Sequence, residues 1–273
     1  MVIAVDLGGT NMRVAAIENG KILQSKSEPC QATGTEEEVI EQLARLIACM
    51  PVKEATGIGI GVPSVVDADQ GIVYNVVGIP SWQEVHLKEV LEKRFGLPVN
   101  LNNDCNCFAL GVANFGEGKS YKETFCATLG TGVGGALVID GTLYDGHNTG
   151  AGEIGSIPYL DKDYEFYCSS RFFVSKGTTG KEACEKAAEG DAAALAVWNE
   201  FGGHMGELVK MIMFAYDPAI IIFGGSIAQA YPLFEQPMWE SIQSFPYEKS
   251  VERLKIIPTS LKDAGLIGAA CLI

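Results

Sequence analysis

Two glycine-rich segments have the residue types and spacing of loops that hold a phosphate group. The first is Asp6-Leu7-Gly8-Gly9-Thr10, which directly follows the apolar run at residues 2–5. The second is Gly130-Thr131-Gly132-Val133-Gly134-Gly135, which comes shortly after the apolar run at residues 125–127. Glycine lets a backbone approach a ligand closely, and the N–H groups of such a loop bind anions. The pair predicts a phosphate that is held by two loops.

The residues around the two loops are also alike. Each loop continues into a second apolar stretch, which ends at Asn19-Gly20 in the first copy and at Asp140-Gly141 in the second. These dipeptides favour two-residue hairpin turns because both central positions need a positive φ. The repetition of strand, glycine turn and strand predicts two related halves. One glycine pair alone would usually be only a turn, and neither loop has the features of a P-loop or a dinucleotide-binding fingerprint.

The composition limits the possible functions and partners. A chain of 273 residues with 47% apolar residues can form real cores, and its formal charge of -14 argues against a nucleic-acid partner. No run of 18 apolar residues occurs, so we expect no membrane partner. Residues 1–6 lack the basic region and cleavage site of a signal peptide and indicate a first strand. The eight cysteines are scattered, which is typical of the reducing cytoplasm.

Strand-like and helix-like patterns alternate along both halves, which predicts an α/β protein of two lobes with a ligand cleft between them. The main predicted elements are helices at about 36–47, 105–115 and 191–216 and buried strands at 58–62 and 220–223. The helix at 105–115 is expected to be capped by Asn102-Asn103-Asp104. We expect a smaller amino-terminal lobe of residues 1–117 with 262–273, and a larger lobe of residues 118–261.

Six motifs, in their order along nearly the whole chain, resemble those of the ROK family. They are Asp6-x-Gly8-Gly9-Thr10, Gly59-x-Gly61-x-Pro63, Asn103-Asp104-x-Asn106, the Gly130 loop, Ala151-Gly152-Glu153-Ile154-Gly155, and Asp217-Pro218 leading to Gly224-Gly225. The resemblance implies the two-lobed actin-like ATPase (ribonuclease H-like) fold with a cleft between the lobes. The family contains ATP-dependent sugar kinases and sugar-responsive repressors with an extra amino-terminal helix-turn-helix. Because the first predicted strand starts at residue 2, we expect no such module and favour the kinases.

The resemblance assigns the general base to Asp104, which would take the proton of the attacking hydroxyl of a hexose or amino sugar, the 6-OH in our interpretation. A plain helix-capping carboxylate is the alternative interpretation of Asp104. The resemblance also implies sugar contacts for Asn103 and Glu153 and places Gly61 and Asn75 near the sugar. A turn asparagine and a solvated loop glutamate are the alternatives for the first two.

The nucleotide would be ATP with Mg²⁺. The resemblance places Gly8, Gly9 and Thr10 on its β- and γ-phosphates from one lobe, and Gly130, Thr131 and Gly132 from the other. It places Gly224 and Gly225 beside the adenosine. Asp6 would bind the Mg²⁺ through water, since this ion keeps much of its hydration. Ordinary turns at the ends of strands are the alternative for each of these sites.

The chain departs from the family pattern after Glu153. Most members have a histidine after Gly-Glu-x-Gly and then a C-x-C-G-x-x-G-C-x-E zinc site. Here Ser156 replaces the histidine, and residues 157–163 contain no cysteine. Cys168 alone cannot form a three-thiolate site, so we predict no structural zinc. The glutamate that closes the zinc motif is matched to Glu165 across a shortened gap, and it would be a further sugar ligand.

Three functional hypotheses remain open at this point. The first is an ATP-dependent sugar kinase, which the retained base and both phosphate loops favour. The second is a non-catalytic sugar-sensing protein of the same fold, which the altered zinc segment favours. The third is a structural ATPase of the wider superfamily, which would hydrolyse ATP without regard to sugar. A homodimer is a further expectation from the resemblance.

Overall fold

The computed structural model describes residues 1–76, 78–147 and 150–273, and within them the chain divides into two compact units. Unit 1 contains Met1–Ser120, Gly141–Ala151 and Ser260–Ile273, and unit 2 contains Tyr121–Asp140 and Gly152–Thr259. The sequence-based boundaries differ from this division in two respects. Residues 141–151 group with unit 1, and unit 1 is the longer of the two units.

The strands and helices follow in chain order. The strands are β1 (Val2–Leu7), β2 (Asn11–Glu18), β3 (Lys21–Pro29), β4 (Ile58–Val62), β5 (Val65–Asp67), β6 (Ile72–Tyr74), β7 (Glu84–Val85), β8 (Val99–Asn103), β9 (Glu123–Leu129), β10 (Val133–Ile139), β11 (Thr142–Tyr144), β12 (Pro158–Tyr159), β13 (Lys162–Asp163), β14 (Ile220–Gly224) and β15 (Lys255–Pro258). The helices are α1 (Glu36–Ala48), α2 (Leu87–Phe95), α3 (Asp104–Phe115), α4 (Tyr164–Cys168), α5 (Ser170–Ser175), α6 (Gly180–Ala188), α7 (Ala192–Tyr216), α8 (Tyr231–Ile242), α9 (Glu248–Arg253) and α10 (Ala264–Ala270).

Unit 1 has a five-stranded sheet in the order β3-β2-β1-β4-β8. Strand β1 is antiparallel to β2 and parallel to β4, and β4 is parallel to β8. In this register Asp6 lies beside Gly61, and Gly61 lies beside Asn102. The carboxyl ends of β1, β4 and β8 therefore meet at one edge of the sheet, which is where open α/β sheets bind ligands.

The strands within unit 2 repeat this arrangement in the order β10-β9-β14-β15. Strand β9 forms an antiparallel hairpin with β10 and a parallel pair with β14, so that Gly224 lies beside Thr128. The repeated hairpin that the sequence predicted is thus confirmed. The two predicted turn dipeptides are confirmed as well, because Asn19 and Asp140 have φ angles of 50° and 49°.

Each unit has its own apolar core. In unit 1, α1 packs its apolar face on the sheet, and a capping box joins Thr35 and Glu38 at its start. In unit 2, α7 contributes Trp198 and Phe201 to a core that also contains Phe234 of α8. No helix in the described part of the chain is long and apolar enough to span a membrane.

Candidate active site

Asp6 lies near the carboxyl end of β1, where its side chain is partly buried. Its cross-strand neighbour is Arg13, whose guanidinium donates a hydrogen bond to Asp263. Burial raises the pKa of Asp6; the positive charge of Arg13 opposes this rise, and the negative charge of Asp263 adds to it. A nearby cation would stabilise the ionised form of a carboxylate that burial disfavours in this way. This chemistry fits the Mg²⁺ ligand that the sequence predicted.

The first glycine-rich loop is a tight turn between β1 and β2. Gly8 N–H donates to the carbonyl of Asn11 at 2.9 Å, and Cys30 N–H donates to the carbonyl of Thr10 at the same distance. A Cβ atom at position 8 would lie 3.1 Å from the Asn11 carbonyl oxygen, so a side chain there would crowd the turn. Thr10 is exposed, and Gly8 and Gly9 are partly so. The loop therefore presents accessible backbone to a ligand.

The segment that contains Asn75 borders this loop. Gly78 has a φ angle of 87°, and a Cβ atom there would lie 3.1 Å from Gly9 Cα. Asn75 is exposed with a φ angle of 49°, and its N–H donates to the carbonyl of Gln83 at 2.9 Å. The structure thus brings the predicted sugar-proximal segment next to the first phosphate loop within unit 1.

The cap of α3 is Asn103, and Asp104 is the first residue of the helix. The side-chain oxygen of Asn103 accepts from Cys105 N–H at 2.8 Å, and its amide donates to the carbonyl of Ser64 at 3.1 Å. Asp104 Oδ1 accepts from the same Cys105 N–H at 2.8 Å, and its side chain is exposed. The positive end of the helix favours a carboxylate at this position. The N-cap position itself is held by Asn103, whereas Asp104 is a first-turn carboxylate that also accepts a helix-start N–H, so its roles as capping residue and as base both stay predictions.

Gly61 lies directly beside this helix start. A Cβ atom at position 61 would lie 3.7 Å from Asp104 Cα and 3.2 Å from Cys107 Sγ. Together with the strand register, this contact brings Asp6, Gly61, Asn103 and Asp104 to one edge of the unit 1 sheet.

A polar cavity of about 160 Å³ adjoins Asn103 in unit 1. Its lining residues are Val66, Asp67, Ala68, Asp69, Asn102, Asn103, Asn106, Asp145, Gly146 and His147. Sequence reasoning missed most of this lining, because no local pattern links residues 67–69 to residues 145–147. Asp67 also closes its own turn by accepting from Gln70 N–H at 2.9 Å.

The second glycine-rich loop follows β9 in unit 2. Gly130 N–H donates to the carbonyl of Gly132 at 3.1 Å, and Ser170 N–H donates to the carbonyl of Gly130 at 2.9 Å. Gly225 has a φ angle of 86°, and a Cβ atom there would lie 2.3 Å from the carbonyl oxygen of Leu129. The turn of Gly224 and Gly225 therefore contacts the start of this loop, as one nucleotide site within unit 2 would require.

Glu165 contacts the same loop. Its Oε2 atom accepts from Val133 N–H at 3.3 Å, and its Oε1 atom pairs with Arg171 Nη2 at 2.8 Å. A Cβ atom at Gly132 would lie 2.4 Å from Glu165 Oε2, so a side chain there would push the carboxylate out of its present position. Glu153 as a residue is exposed, but its carboxyl group is partly buried. This burial, and then the negative charge of Glu165, raise the pKa of Glu153. Unit 2 thus brings the two predicted sugar-binding glutamates within electrostatic range of each other.

The segment that lacks the zinc cysteines forms the short hairpin of β12 and β13. The ring of Tyr159 stacks on Tyr164 with centroids 4.5 Å apart, and its hydroxyl lies 3.1 Å from His204 Nδ1. Among the described residues, no group of three or more His, Cys, Asp or Glu side chains is placed to hold a metal ion. The absence of zinc stays a prediction that chelation can test.

Residues 2–273 match the ROK family. The chain is 30% identical to the glucokinase of Thermotoga maritima, with 99% of this chain and 96% of that protein covered. It is 27% identical to a ROK family glucokinase from Streptomyces griseus, solved with glucose and AMPPNP, at a TM-score of 0.82 with 99% and 98% coverage. It is also 25% identical to the xylose repressor of Bacillus spizizenii, with 88% of this chain and 67% of that protein covered.

The repeated hairpins, the two units and these structural neighbours define the two-lobed actin-like α/β fold, in the superfamily of actin and hexokinase. The fold class expected from the sequence is confirmed. Because the family match extends over nearly every residue, the chain belongs to the ROK family, and its relatives support a place among the sugar kinases.

Proposed function

We propose that this protein is an ATP-dependent kinase that transfers the γ-phosphate of ATP to the 6-OH of a hexose or amino sugar, with Asp104 as general base. The observation that carries the proposal is the grouping of Asp6, Gly61, Asn103 and Asp104 beside the first glycine loop in unit 1. The similarity to glucokinases supports the same activity.

Asp104 and Asn103 would divide the work on the sugar. The carboxylate of Asp104 is exposed and would accept the proton of the attacking hydroxyl, a contribution of roughly 10²–10⁴ in rate. The amide of Asn103 is fixed by Ser64 and Cys105, and it keeps one further N–H and one further lone pair for a sugar hydroxyl. Glu153 and Glu165 would accept hydrogen bonds from other hydroxyls.

The two glycine loops would bind ATP. Gly8, Gly9 and Thr10 of one loop and Gly130, Thr131 and Gly132 of the other would donate N–H groups to its phosphates, while Gly224 and Gly225 would lie beside the adenosine. Asp6 would hold Mg²⁺ through water, and the ion would neutralise phosphate charge.

A sugar-sensing protein without catalysis is the second candidate function. Ser156 stands where most family members have a histidine, so one expected sugar contact is missing. The similarity to a protein named xylose repressor supports this candidate. Sugar binding without ADP formation would favour this candidate.

The test is ADP release by the purified chain with ATP, Mg²⁺ and a panel of hexoses and amino sugars. We expect sugar-dependent ADP release, which Asp104→Asn reduces by about 10²–10⁴ while sugar affinity in calorimetry stays near the wild-type value. Asp140→Asn is the matched control, since Asn tolerates the left-handed turn at that exposed position. Equal kinase activity in the Asp104→Asn and Asp140→Asn variants would contradict the role of Asp104.

The remaining expectations concern assembly and location. We propose a homodimer in the cytoplasm with no nucleic-acid or membrane partner. Light scattering of the purified chain would test the dimer, and a monomer at micromolar concentration would contradict it.

A further inference from the structure

Arg171 is an exposed cation beside the second glycine loop that the proposed reaction does not yet use. It follows Ser170, whose N–H donates to the carbonyl of Gly130 at 2.9 Å. Its Nη2 atom lies 2.8 Å from Glu165 Oε1, with about 56% of the arginine side chain and 29% of the glutamate side chain exposed. The backbone next to Arg171 is therefore held by the loop, and its guanidinium pairs with a predicted sugar ligand.

Glu165 has both oxygens engaged in this arrangement. While Oε1 pairs with Arg171, Oε2 accepts from Val133 N–H at the end of the loop and occupies the space that a side chain at Gly132 would fill. The cation attracts one oxygen of the carboxylate while the Val133 N–H donates to the other, so the two contacts together restrain the carboxylate. Loss of Arg171 would leave the carboxylate free to rotate away from Val133.

We propose that Arg171 is a positioning residue: it holds Glu165 against the Val133 N–H and so links the sugar-binding glutamates to the shape of the second phosphate loop. The kinetic part of this inference rests on the proposed kinase function, whereas the link between Arg171 and Val133 does not.

The charges of the two glutamates give the proposal a pH signature. The negative charge of Glu165 already contributes to the raised pKa of Glu153. Arg171 partly neutralises that charge, so its removal should raise the pKa of Glu153 further. Glu153 binds sugar hydroxyls best when it is ionised, so sugar binding by an Arg171→Gln variant should fail at a higher pH than in the wild type as the pH is lowered.

A closely matched control exists elsewhere in the chain. Arg45 Nη2 lies 2.6 Å from Glu28 Oε2, with about 53% of the arginine and 24% of the glutamate side chain exposed. Glu28 also pairs with Lys26. Neither Arg45 nor Lys26 has a side-chain contact with a glycine loop in the described structure. Arg45→Gln therefore removes an exposed arginine–glutamate pair away from the candidate site residues; the pair is bidentate, so its loss is at least as large a change as the loss of the single Arg171 contact.

The first experiment measures amide hydrogen exchange of the peptide that contains Val133, in the full-length chain without ligand. We expect faster exchange at Val133 in Arg171→Gln, wild-type exchange in Arg45→Gln, and recovery in Arg171→Lys, which keeps the charge. Unchanged exchange at Val133 in Arg171→Gln would overturn the inference, whether or not the protein is a kinase.

The second experiment measures kcat and KM for the sugar and for ATP between pH 5.5 and 8.5. With the most active sugar of the panel, we expect Arg171→Gln to raise the sugar KM about tenfold, the size of one weakened hydrogen bond from Glu165 to a sugar hydroxyl, with a smaller effect on kcat. The acidic limb of kcat/KM should move to higher pH, and the melting temperature should stay at the wild-type value, because exposed ion pairs add little stability.

The outcomes separate the two proposals. No sugar-dependent ADP release by the wild type would contradict the proposed function, and the exchange experiment would then decide on Arg171 alone. Two results would overturn the positioning role in an active kinase. The first is equal kcat and KM in Arg171→Gln and Arg45→Gln, and the second is an Arg171→Gln variant with lower kcat, unchanged KM and an unshifted pH profile.

Discussion

His204 on α7 is a largely buried side chain whose two ring nitrogens have different surroundings. Its ring packs against Tyr159, Tyr167 and Phe172, with centroids 4.6 to 5.7 Å apart. Nδ1 lies 3.1 Å from the Tyr159 hydroxyl, and Nε2 is buried with no hydrogen-bond partner in the described structure. Burial lowers the pKa of His204 and outweighs the carboxylates of Glu200 and Glu207, while Lys176 adds to the lowering.

We predict that His204 makes the free energy of unfolding depend on pH. Because its pKa is lower in the folded chain than the usual 6.5, the unfolded chain binds more protons between these two values. The contribution of His204 is therefore fully present above about pH 6.5 and is lost as the pH falls through the folded pKa. His204→Gln should cost about 1–3 kcal/mol at pH 8, through the lost aromatic and hydrogen-bond contacts.

Urea unfolding between pH 8 and pH 5.5 measures this effect. The stabilities of the wild type and His204→Gln should converge as the pH is lowered. A wild-type advantage over His204→Gln that stays constant with pH would show that the histidine does not titrate as described.

Single residues also show how far the sequence could predict the candidate site. Asn103 and Asp104 were recognised because their types are tied to a local event, the start of a helix after a strand. Arg171 was not recognised, because its contact with Glu165 depends on how α4 and α5 dock against the loop before β10. A pairing of that kind leaves no periodic or capping pattern in the sequence.

Helices α3 and α10 lie unusually close together because glycine stands at their contact. A Cβ atom at Gly268 would lie 1.6 Å from the carbonyl oxygen of Cys107, and one at Gly111 would lie 2.1 Å from the carbonyl oxygen of Ala264. Since these obstacles are backbone atoms, a side chain could enter only if one helix moved. Helix α3 begins with Asp104, so this contact also fixes the position of the proposed base.

We predict opposite effects for two alanine substitutions in α10. Gly268→Ala should lower the free energy of unfolding by at least about 2 kcal/mol, because the added methyl group forces the helices apart. Gly265→Ala meets nothing within 4 Å and should raise stability by about 0.5–1 kcal/mol through helix propensity.

Urea unfolding and kcat, measured on both variants, test this pair. Gly268→Ala should also lower kcat, because α3 would move with Asp104, while Gly265→Ala should keep full activity. Equal stability of the two variants would mean that the glycine contact does not set the helix spacing.

At the level of elements, sequence prediction succeeded where a pattern was long or chemically specific. The buried strand β4 and helix α1 are found where expected, and α1 carries a capping box at its start. The hairpin of β12 and β13 was missed, because strands of two residues are too short to show an alternation of apolar and polar side chains.

For the whole molecule, stability comes from packing in the described structure and not from covalent cross-links. None of the eight cysteines takes part in a disulfide in the described structure, and three of the largest buried side chains, Trp198, Phe201 and Phe234, lie together in the core of unit 2. The hairpin of β12 and β13 is held by stacked rings, since Tyr159 lies against both Tyr164 and Tyr167. Apolar contacts of this kind do not depend on a metal ion.

We therefore predict that chelation separates the fold from the reaction. EDTA should leave the melting temperature of the ligand-free chain unchanged, because a hydrated Mg²⁺ beside Asp6 would be bound mainly through the nucleotide and would add little stability without it. The same treatment should abolish sugar-dependent ADP release, and added Mg²⁺ should restore it. A melting temperature that falls with the chelator and recovers on addition of Zn²⁺ but not of Mg²⁺ would instead reveal a structural zinc site. Such a site forms only in the folded chain, so zinc binding adds to the free energy of unfolding.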